Sequence, residues 1–127
     1  MIRCACISLL ALAGCASAAP TAEDLVPDYL GVRATPLDRE LVQVVASMTK
    51  ALEPGDVTRY ADCAAARYTL AQGYGFARHL RTNVSEEAGV WTADAVYTIS
   101  PSLPRGLGAI DAEVVAADCA ENRIPSV

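Results

Sequence analysis

The sequence predicts a small α+β domain in the order β-α-β-β-α, with a sheet of about three strands, two helices on one face and one disulfide. Three observations support this class. Several segments alternate apolar and polar residues with the period of a strand, and an alanine-rich stretch between them has high helix propensity. Beyond the apolar N-terminus the chain contains only two cysteines.

Three segments have the pattern of strands, at residues 40–50, 76–84 and 90–100. The first carries four apolar residues at a period of two: Val42, Val44, Ala46 and Met48. The third has the clearest alternation, with one apolar face: Trp91, Ala93, Ala95, Tyr97 and Ile99. Residues 85–89 form a turn between the second and third segments, which therefore predict a hairpin.

Two segments are predicted to be helical. Residues 57–72 are rich in alanine, with Asp56 as a candidate N-cap and Gly73 as the residue that ends the helix. Residues 111–122 fit a helix that Asp111 caps, although their alternation fits a strand almost as well. Residues 101–108 contain two prolines and two glycines and are predicted to be a loop.

The cysteines predict a disulfide. Cys63 and Cys119 are the pair that remains after an N-terminal signal is removed, and a lone pair in an oxidising compartment is read first as a bridge. The loop they would close contributes about 4 kcal/mol to stability. Two separate buried thiols are the alternative, whereas a redox-active pair usually has the Cys-x-x-Cys spacing that is missing here.

The N-terminus has the layout of a secretory signal, with Arg3 followed by a short apolar segment. Leu12-Ala13-Gly14-Cys15 matches the lipobox of bacterial lipoproteins, so residues 1–14 are predicted to be a signal peptide and Cys15 the lipidated N-terminus. Ordinary cleavage after Ala16-Ser17-Ala18 is the competing reading. Prolines at 20, 27 and 36 make residues 15–36 a predicted tether, which leaves residues 37–127 as the domain.

Residues 64–76, which read Ala-Ala-Ala-Arg-Tyr-Thr-Leu-Ala-Gln-Gly-Tyr-Gly-Phe, resemble a helix-to-strand junction of small uncharacterised proteobacterial envelope lipoproteins. In that family an alanine-rich helix ends in Gly-Tyr and a strand opens with an aromatic residue. Together with the lipobox, the resemblance implies an envelope lipoprotein with an α+β domain. It implies no catalytic residue.

No strong catalytic pattern is found. His79 is the single histidine and is expected on an exposed face together with Ala77 and Arg81. A hydrolase built from Cys63, His79 and Asp94 matches no known flanking sequence and competes with the disulfide. A zinc site lacks close ligand spacing, so we expect no catalytic residue, cofactor or metal site and no enzyme activity.

Trp91 and Tyr97 are expected in the core, with an exposed aromatic stripe for glycan or peptide binding as the alternative. The net charge of −5 and the lack of a basic patch argue against nucleic acid as a partner.

These observations together predict a membrane-anchored lipoprotein on the periplasmic side. Its expected role is non-enzymatic, structural or interactive, in the cell envelope. Ala16, where an aspartate would favour inner-membrane retention, points to the outer membrane. The expected partners are the membrane, through the lipid anchor, and an envelope protein or peptidoglycan. A binding module for peptidoglycan or a small ligand is the alternative.

Overall fold

The computed structural model describes residues 26–126, which form a curled antiparallel sheet of five strands with two helices. The strands are β1 (Asp28–Asp38), β2 (Leu41–Thr49), β3 (Phe76–Glu87), β4 (Val90–Ser100) and β5 (Ala109–Asp111). The helices are α1 (Pro54–Ala71) and α2 (Ala112–Glu121). The strands lie in the order β1-β2-β4-β3-β5, and every pairing is antiparallel.

The expected sheet of about three strands is wrong, because two further strands flank it. Residues 28–36 of the predicted tether belong to β1. Pro36 is tolerated there because β1 is an edge strand and its register shifts between Pro36 and Asp38. Strand β5 is only three residues long and lies between the predicted loop and the second helix, so no periodic pattern marks it. The domain is therefore mostly β.

The predicted signal peptide (residues 1–14), Cys15 and the tether up to residue 25 lie outside the described residues. Neither helix within residues 26–126 is both long and apolar enough to cross a membrane.

Strands β2 and β4 form the centre of the sheet, and α1 packs against them. The alternations predicted for both strands are confirmed, since the side chains that face α1 are buried. On β2 these are Val42, Val44, Ala46 and Met48, and on β4 they are Ala93, Ala95, Tyr97 and Ile99. The hairpin of β3 and β4 is also confirmed, although β3 continues to Glu87.

Helix α1 begins at Pro54 and not at residue 57, because its N-cap is Glu53. Asp56, the predicted cap, lies inside the first turn, where its carboxylate accepts the backbone N–H groups of Leu52 (2.8 Å) and Glu53 (3.4 Å). The carboxylate thereby satisfies backbone donors just before the helix. Its negative charge also interacts favourably with the positive N-terminal end of the helix dipole. Gly73 follows the helix with a φ of +82°, as expected for a residue that ends a helix.

The second helix is confirmed at Ala112–Glu121, and the strand alternative is wrong for those residues. Asp111 caps it as predicted, since its carboxylate accepts the N–H of Val114 at 3.2 Å. Helix α2 rests mainly on α1, where Ala66, Ala112 and Ala116 form a small buried cluster.

The disulfide between Cys63 and Cys119 is confirmed, with a Cα–Cα distance of 5.9 Å. It joins the buried side of α1 to the buried side of α2. On the surface beside it, the Arg59 guanidinium forms a salt bridge with Asp118 at 2.9 Å. The ion pair adds little to the attachment of α2, because exposed ion pairs contribute little, whereas the disulfide fixes α2 to α1 covalently.

We expect the double variant C63A/C119A to lose about 4 kcal/mol of unfolding free energy, because the bridge constrains 56 residues of separation in the unfolded chain. Urea denaturation of the oxidised wild type and the variant measures this loss. The reduced wild type is the control and should fall by a similar amount. An unchanged denaturation midpoint in both would show that the bridge does not stabilise the domain.

The β3–β4 hairpin has the two-residue loop Ala88-Gly89, and both residues have positive φ, +51° and +83°. This is the geometry of a type I′ turn, which favours glycine or asparagine at both positions. Ala88 therefore holds a left-handed conformation that an L side chain adopts at a cost of about 1–2 kcal/mol.

Replacing Ala88 with glycine should relieve this strain and raise the free energy of unfolding by about 1 kcal/mol. The exposed helical residue Ala117 is the matched control, since A117G should instead destabilise by about 0.5–1 kcal/mol. Thermal and urea unfolding of both variants measure whether each substitution raises or lowers the free energy of unfolding. If A88G destabilised as A117G does, the turn would not be strained in solution.

Candidate functional site: a polar cluster beside an open strand edge

A bulge in β3 decides which of its side chains face α1. The register between β3 and β4 shifts between His79 and Arg81, so Leu80 is the extra residue. His79 pairs with Tyr97 and Thr82 pairs with Ala95, which places both on the inner face with α1. The bulge turns Arg81 to the outer face. The expectation that His79 and Arg81 share an exposed face is therefore wrong, and His79 is half-buried.

Four side chains meet on the inner face and are called the polar cluster: Asp62, His79, Thr82 and Tyr97. The Tyr97 hydroxyl donates a hydrogen bond to the carboxylate of Asp62 on α1. The His79 ring lies edge-on to the Tyr97 ring, with centroids 5.5 Å apart. A further hydrogen bond joins Nε2 of His79 to Oγ1 of Thr82. The cluster thus connects α1 with both strands of the hairpin.

Burial dominates the electrostatics of the cluster. It raises the pKa of the Asp62 carboxyl, while the hydrogen bond from Tyr97 and the charge of His79 act in the opposite direction. Burial and the neighbouring Asp62 charge raise the pKa of the Tyr97 phenol, which therefore stays protonated and donates. Asp62 is a half-buried carboxylate that can hold a proton or accept a hydrogen bond from a ligand.

The structure does not assemble Cys63, His79 and Asp94 into a hydrolase site. Cys63 is in the disulfide. Asp94 lies on the outer face, where it accepts a hydrogen bond from Gln43 at 3.0 Å and lies 3.6 Å from the guanidinium of Arg81. Among residues 26–126 no group of three or more His, Cys, Asp or Glu side chains is arranged to hold a metal ion.

The two aromatic residues of β4 behave differently. Tyr97 is fully buried, as expected for the core, so it cannot belong to an exposed stripe. Trp91 is half-buried and packs against the core near the end of the hairpin. Sequence reasoning missed Asp62 and Thr82. An isolated carboxylate beside Cys63 in an alanine-rich helix was the available signal, but Thr82 reaches the cluster only because of the bulge.

One edge of the hairpin is open. Strand β5 pairs with β3 only at Phe76–Arg78, and one further bond runs from the N–H of His79 to the carbonyl of Gly108. Gly108 has a φ of +80°, and a Cβ there would lie 2.9 Å from the His79 carbonyl oxygen, so glycine is required at this contact. Beyond it, no described strand pairs with the outer edge of β3 from Thr82 to Glu87.

The register of the hairpin shows which backbone groups face this open edge. In a two-residue turn the flanking pair, here Glu87 and Val90, is hydrogen-bonded, and the pattern then alternates along the strands. The N–H and C=O groups of Thr82, Val84 and Glu86 consequently point away from β4. The side chains of the same three residues face the inner side of the sheet, continuous with the polar cluster.

The opposite edge of the sheet is β1. A groove of about 450 Å³ lies beside it, lined by Leu30, Gly31, Val32, Arg33, Val45 and Ser47. Register shifts at both ends of β1, between Tyr29 and Gly31 and between Pro36 and Asp38, distort this edge. Such bulges and prolines blunt an edge strand against pairing with other chains.

Residues 29–123 match the family model described as the YNQ4 C-terminal domain, which covers most of the chain and nearly all of the sheet and helices. The chain belongs to this family. The match begins within β1 and ends just after α2, so it coincides with the folded unit and includes both cysteines of the disulfide.

One curated relative is the "Uncharacterized 26.9 kDa protein in nqo8 5'region" of Paracoccus denitrificans, which is 30% identical over 86 residues. The aligned region covers 68% of this chain but only 34% of the relative, so the chain spans about a third of that protein. No solved structure matches the chain. Kinship with uncharacterised bacterial proteins is thus confirmed.

Asp62 should make stability depend on pH. Its pKa in the folded state is raised above the ordinary 3.8. At pH values between the unfolded pKa and the folded pKa, the folded protein therefore binds more protons than the unfolded chain. The stabilisation that comes from the raised pKa of Asp62 is therefore fully present below about pH 4, and it is lost as pH rises through the folded pKa. Urea unfolding at successive pH values measures this fall.

The D62N variant should remove the fall, because the amide cannot ionise yet still accepts the Tyr97 hydroxyl. Y97F is the complementary variant: without the donor the Asp62 pKa rises further and the fall extends to higher pH. A wild-type profile whose slope in this range is unchanged by D62N would contradict the assignment.

Proposed function

We propose that this protein is a lipid-anchored envelope protein whose disulfide-stabilised domain binds another protein of the envelope. Cys15 would attach it to the membrane, residues up to the start of β1 would span the distance from the lipid, and the domain would present its sheet to a partner. The role is non-enzymatic, and the outer membrane is the proposed location.

The observation that carries the proposal is the open edge of β3. A run of backbone donors and acceptors without partners among residues 26–126 is a common docking site for extended segments of other proteins. The disulfide supports an oxidising compartment, in agreement with the lipobox at Leu12–Cys15.

The groove beside β1 favours a second candidate, a binding module for peptidoglycan or a small ligand. Arg33 and Ser47 supply polar groups beside the apolar Leu30 and Val45, and about 450 Å³ is within the size range of small-molecule sites. The groove is open, however, and the buried Tyr97 and half-buried Trp91 give it no aromatic platform for a sugar.

Membrane anchoring is tested by the intact mass of the protein extracted from membranes of a Gram-negative host. We expect a chain that begins at Cys15 with acyl adducts and with Cys63 and Cys119 oxidised. The C15A variant should lose the adducts and leave the membrane fraction, because two or more acyl chains are what hold such a protein firmly. An unacylated wild-type chain beginning near residue 19 would overturn the anchor.

Partner binding is tested by a photo-crosslinking side chain placed in the full chain at exposed positions on β1, the β3 edge and α2. We expect one defined crosslinked species from native envelopes, at a contiguous set of positions. A purified partner should then bind the domain with the same position dependence. Absence of a crosslink at every position would contradict the interaction role.

A further inference from the structure

We propose that the open edge of β3, from Thr82 to Glu87, binds an extended basic segment of a partner protein as an added strand in line with β5. This inference rests on the proposed interaction function and specifies its surface and the chemistry of its partner. The bound segment would occupy the place beside β3 that the three residues of β5 leave vacant.

The backbone of the edge is suited to strand addition. Thr82, Val84 and Glu86 direct their N–H and C=O groups outward in a regular register that continues without a shift from Arg81 to the turn. The contact of Gly108 with His79 marks where the covered part of the edge stops. An added strand would therefore find alternating donors and acceptors at the spacing of a sheet.

The edge of β1 is a poorer candidate for the same role. It is interrupted by a bulge at each end and contains Pro36, which lacks an N–H. Residues 82–87 contain no proline and no lysine or arginine, which are common protections of edge strands. Of the two long strands at the margins, β3 is thus the one whose backbone edge is regular and free of proline, over residues 82–87.

Charge indicates the kind of segment that binds. Glu86 and Glu87 are exposed at the open edge, and neither forms a salt bridge within the described part of the chain. Arg81, the nearest cation along the strand, faces outward and is paired with Asp94 at 3.6 Å. A lysine or arginine side chain opposite Glu86 would complement this edge, and Glu87 adds negative charge on its outer side.

Apolar contacts are available beside the acidic ones. Val84 lies between Thr82 and Glu86 on the inner side, with 36% of its surface exposed, and half-buried Trp91 pairs with Glu86 across the hairpin. Val84, Glu86 and Trp91 all lie on the inner side, so every second residue of the bound segment faces them. Lysine suits these positions, because its ammonium group pairs with the Glu86 carboxylate while its aliphatic stem packs on apolar surface.

The probe is a capped octapeptide of alternating lysine and valine, titrated into the ¹⁵N-labelled domain with its disulfide intact. We expect the amide resonances of Thr82, Val84 and Glu86 to shift and to gain protection from hydrogen exchange. A glutamate–valine octapeptide of equal length should bind at least about tenfold more weakly. No shift at these amides with millimolar probe would overturn the proposal.

Strand addition is distinguished from charge attraction by N-methylated probes. One form is methylated on the backbone nitrogens of its lysine residues, and the other on the backbone nitrogens of its valine residues. Each form therefore lacks the N–H donors of one edge of the peptide but keeps every charge. One form should bind about tenfold more weakly than the parent, because its donors face β3. Equal affinity of both forms and the parent would overturn the added strand.

Variants of the edge have a matched control on α2. E86K/E87K should weaken the lysine–valine probe about tenfold. E113K/E121K makes the same change in net charge at exposed helical positions and should leave the affinity within about twofold. Equal losses in both double variants would show that only overall charge matters, and would overturn the proposal.

V84P supplies a second test of the backbone contact. It removes an N–H on the open edge, whereas the hydrogen bonds to β4 are made by its neighbours Asn83 and Ser85. With the amide spectrum of β2, α1 and α2 unchanged, we expect loss of probe binding. Retained affinity in the folded variant would overturn the proposal.

The crosslinking positions separate this inference from the proposed function. A defined crosslink at the β3 edge to a basic segment agrees with both. A defined crosslink on β1 or α2 but not at the β3 edge would leave the interaction role standing and overturn this surface. Absence of any crosslink would contradict both.

Discussion

The contact between the alanine-rich face of α1 and the two central strands is the interaction on which the rest of the structure depends. Small residues occupy both sides of it: Ala61, Ala64 and Ala65 on the helix, and Ala46, Ala93 and Ala95 on the sheet. They allow the helix to lie close to the sheet. Because each alanine buries little apolar area, however, the stabilisation per residue is modest.

The disulfide lies on the helix that has the least contact with the sheet. Helix α2 has little direct contact with the sheet and is attached through α1, a small alanine cluster and one exposed ion pair. The Cys63–Cys119 bond closes a long loop and holds α2 on α1, so its contribution is large relative to the marginal stability of a domain of this size.

The position of α1 also creates the candidate site. Asp62 emerges from the helix on the side of the hairpin, where the bulge at Leu80 brings His79 and Thr82 onto the same face. The polar cluster thereby fixes the hairpin to the helix at one point. Beyond that point β3 continues with exposed residues and an open edge, while β4 remains paired with β2. A surface of this kind is anchored at its base and accessible along its length.

Local sequence pattern was sufficient for the elements that carry strong periodicity. The alternations of β2 and β4, the hairpin, the alanine-rich helix and the pairing of two remaining cysteines could each be inferred, because each depends on neighbouring residues or on simple counting. Even the cap of α2 at Asp111 was visible, since a carboxylate before a helix acts on backbone groups within one turn.

The edges of the sheet and the candidate site depended instead on contacts between distant segments. β1 contains a proline and a glycine that argue against a strand, yet the segment is a strand because it pairs with β2 along one side. The inward direction of His79 and Thr82 depends on a one-residue bulge, which reverses the face of every later side chain. Asp62 acquires its raised pKa only when the helix buries it beside Tyr97. Burial and register arise from the packing of whole elements, so no short stretch of sequence specifies them.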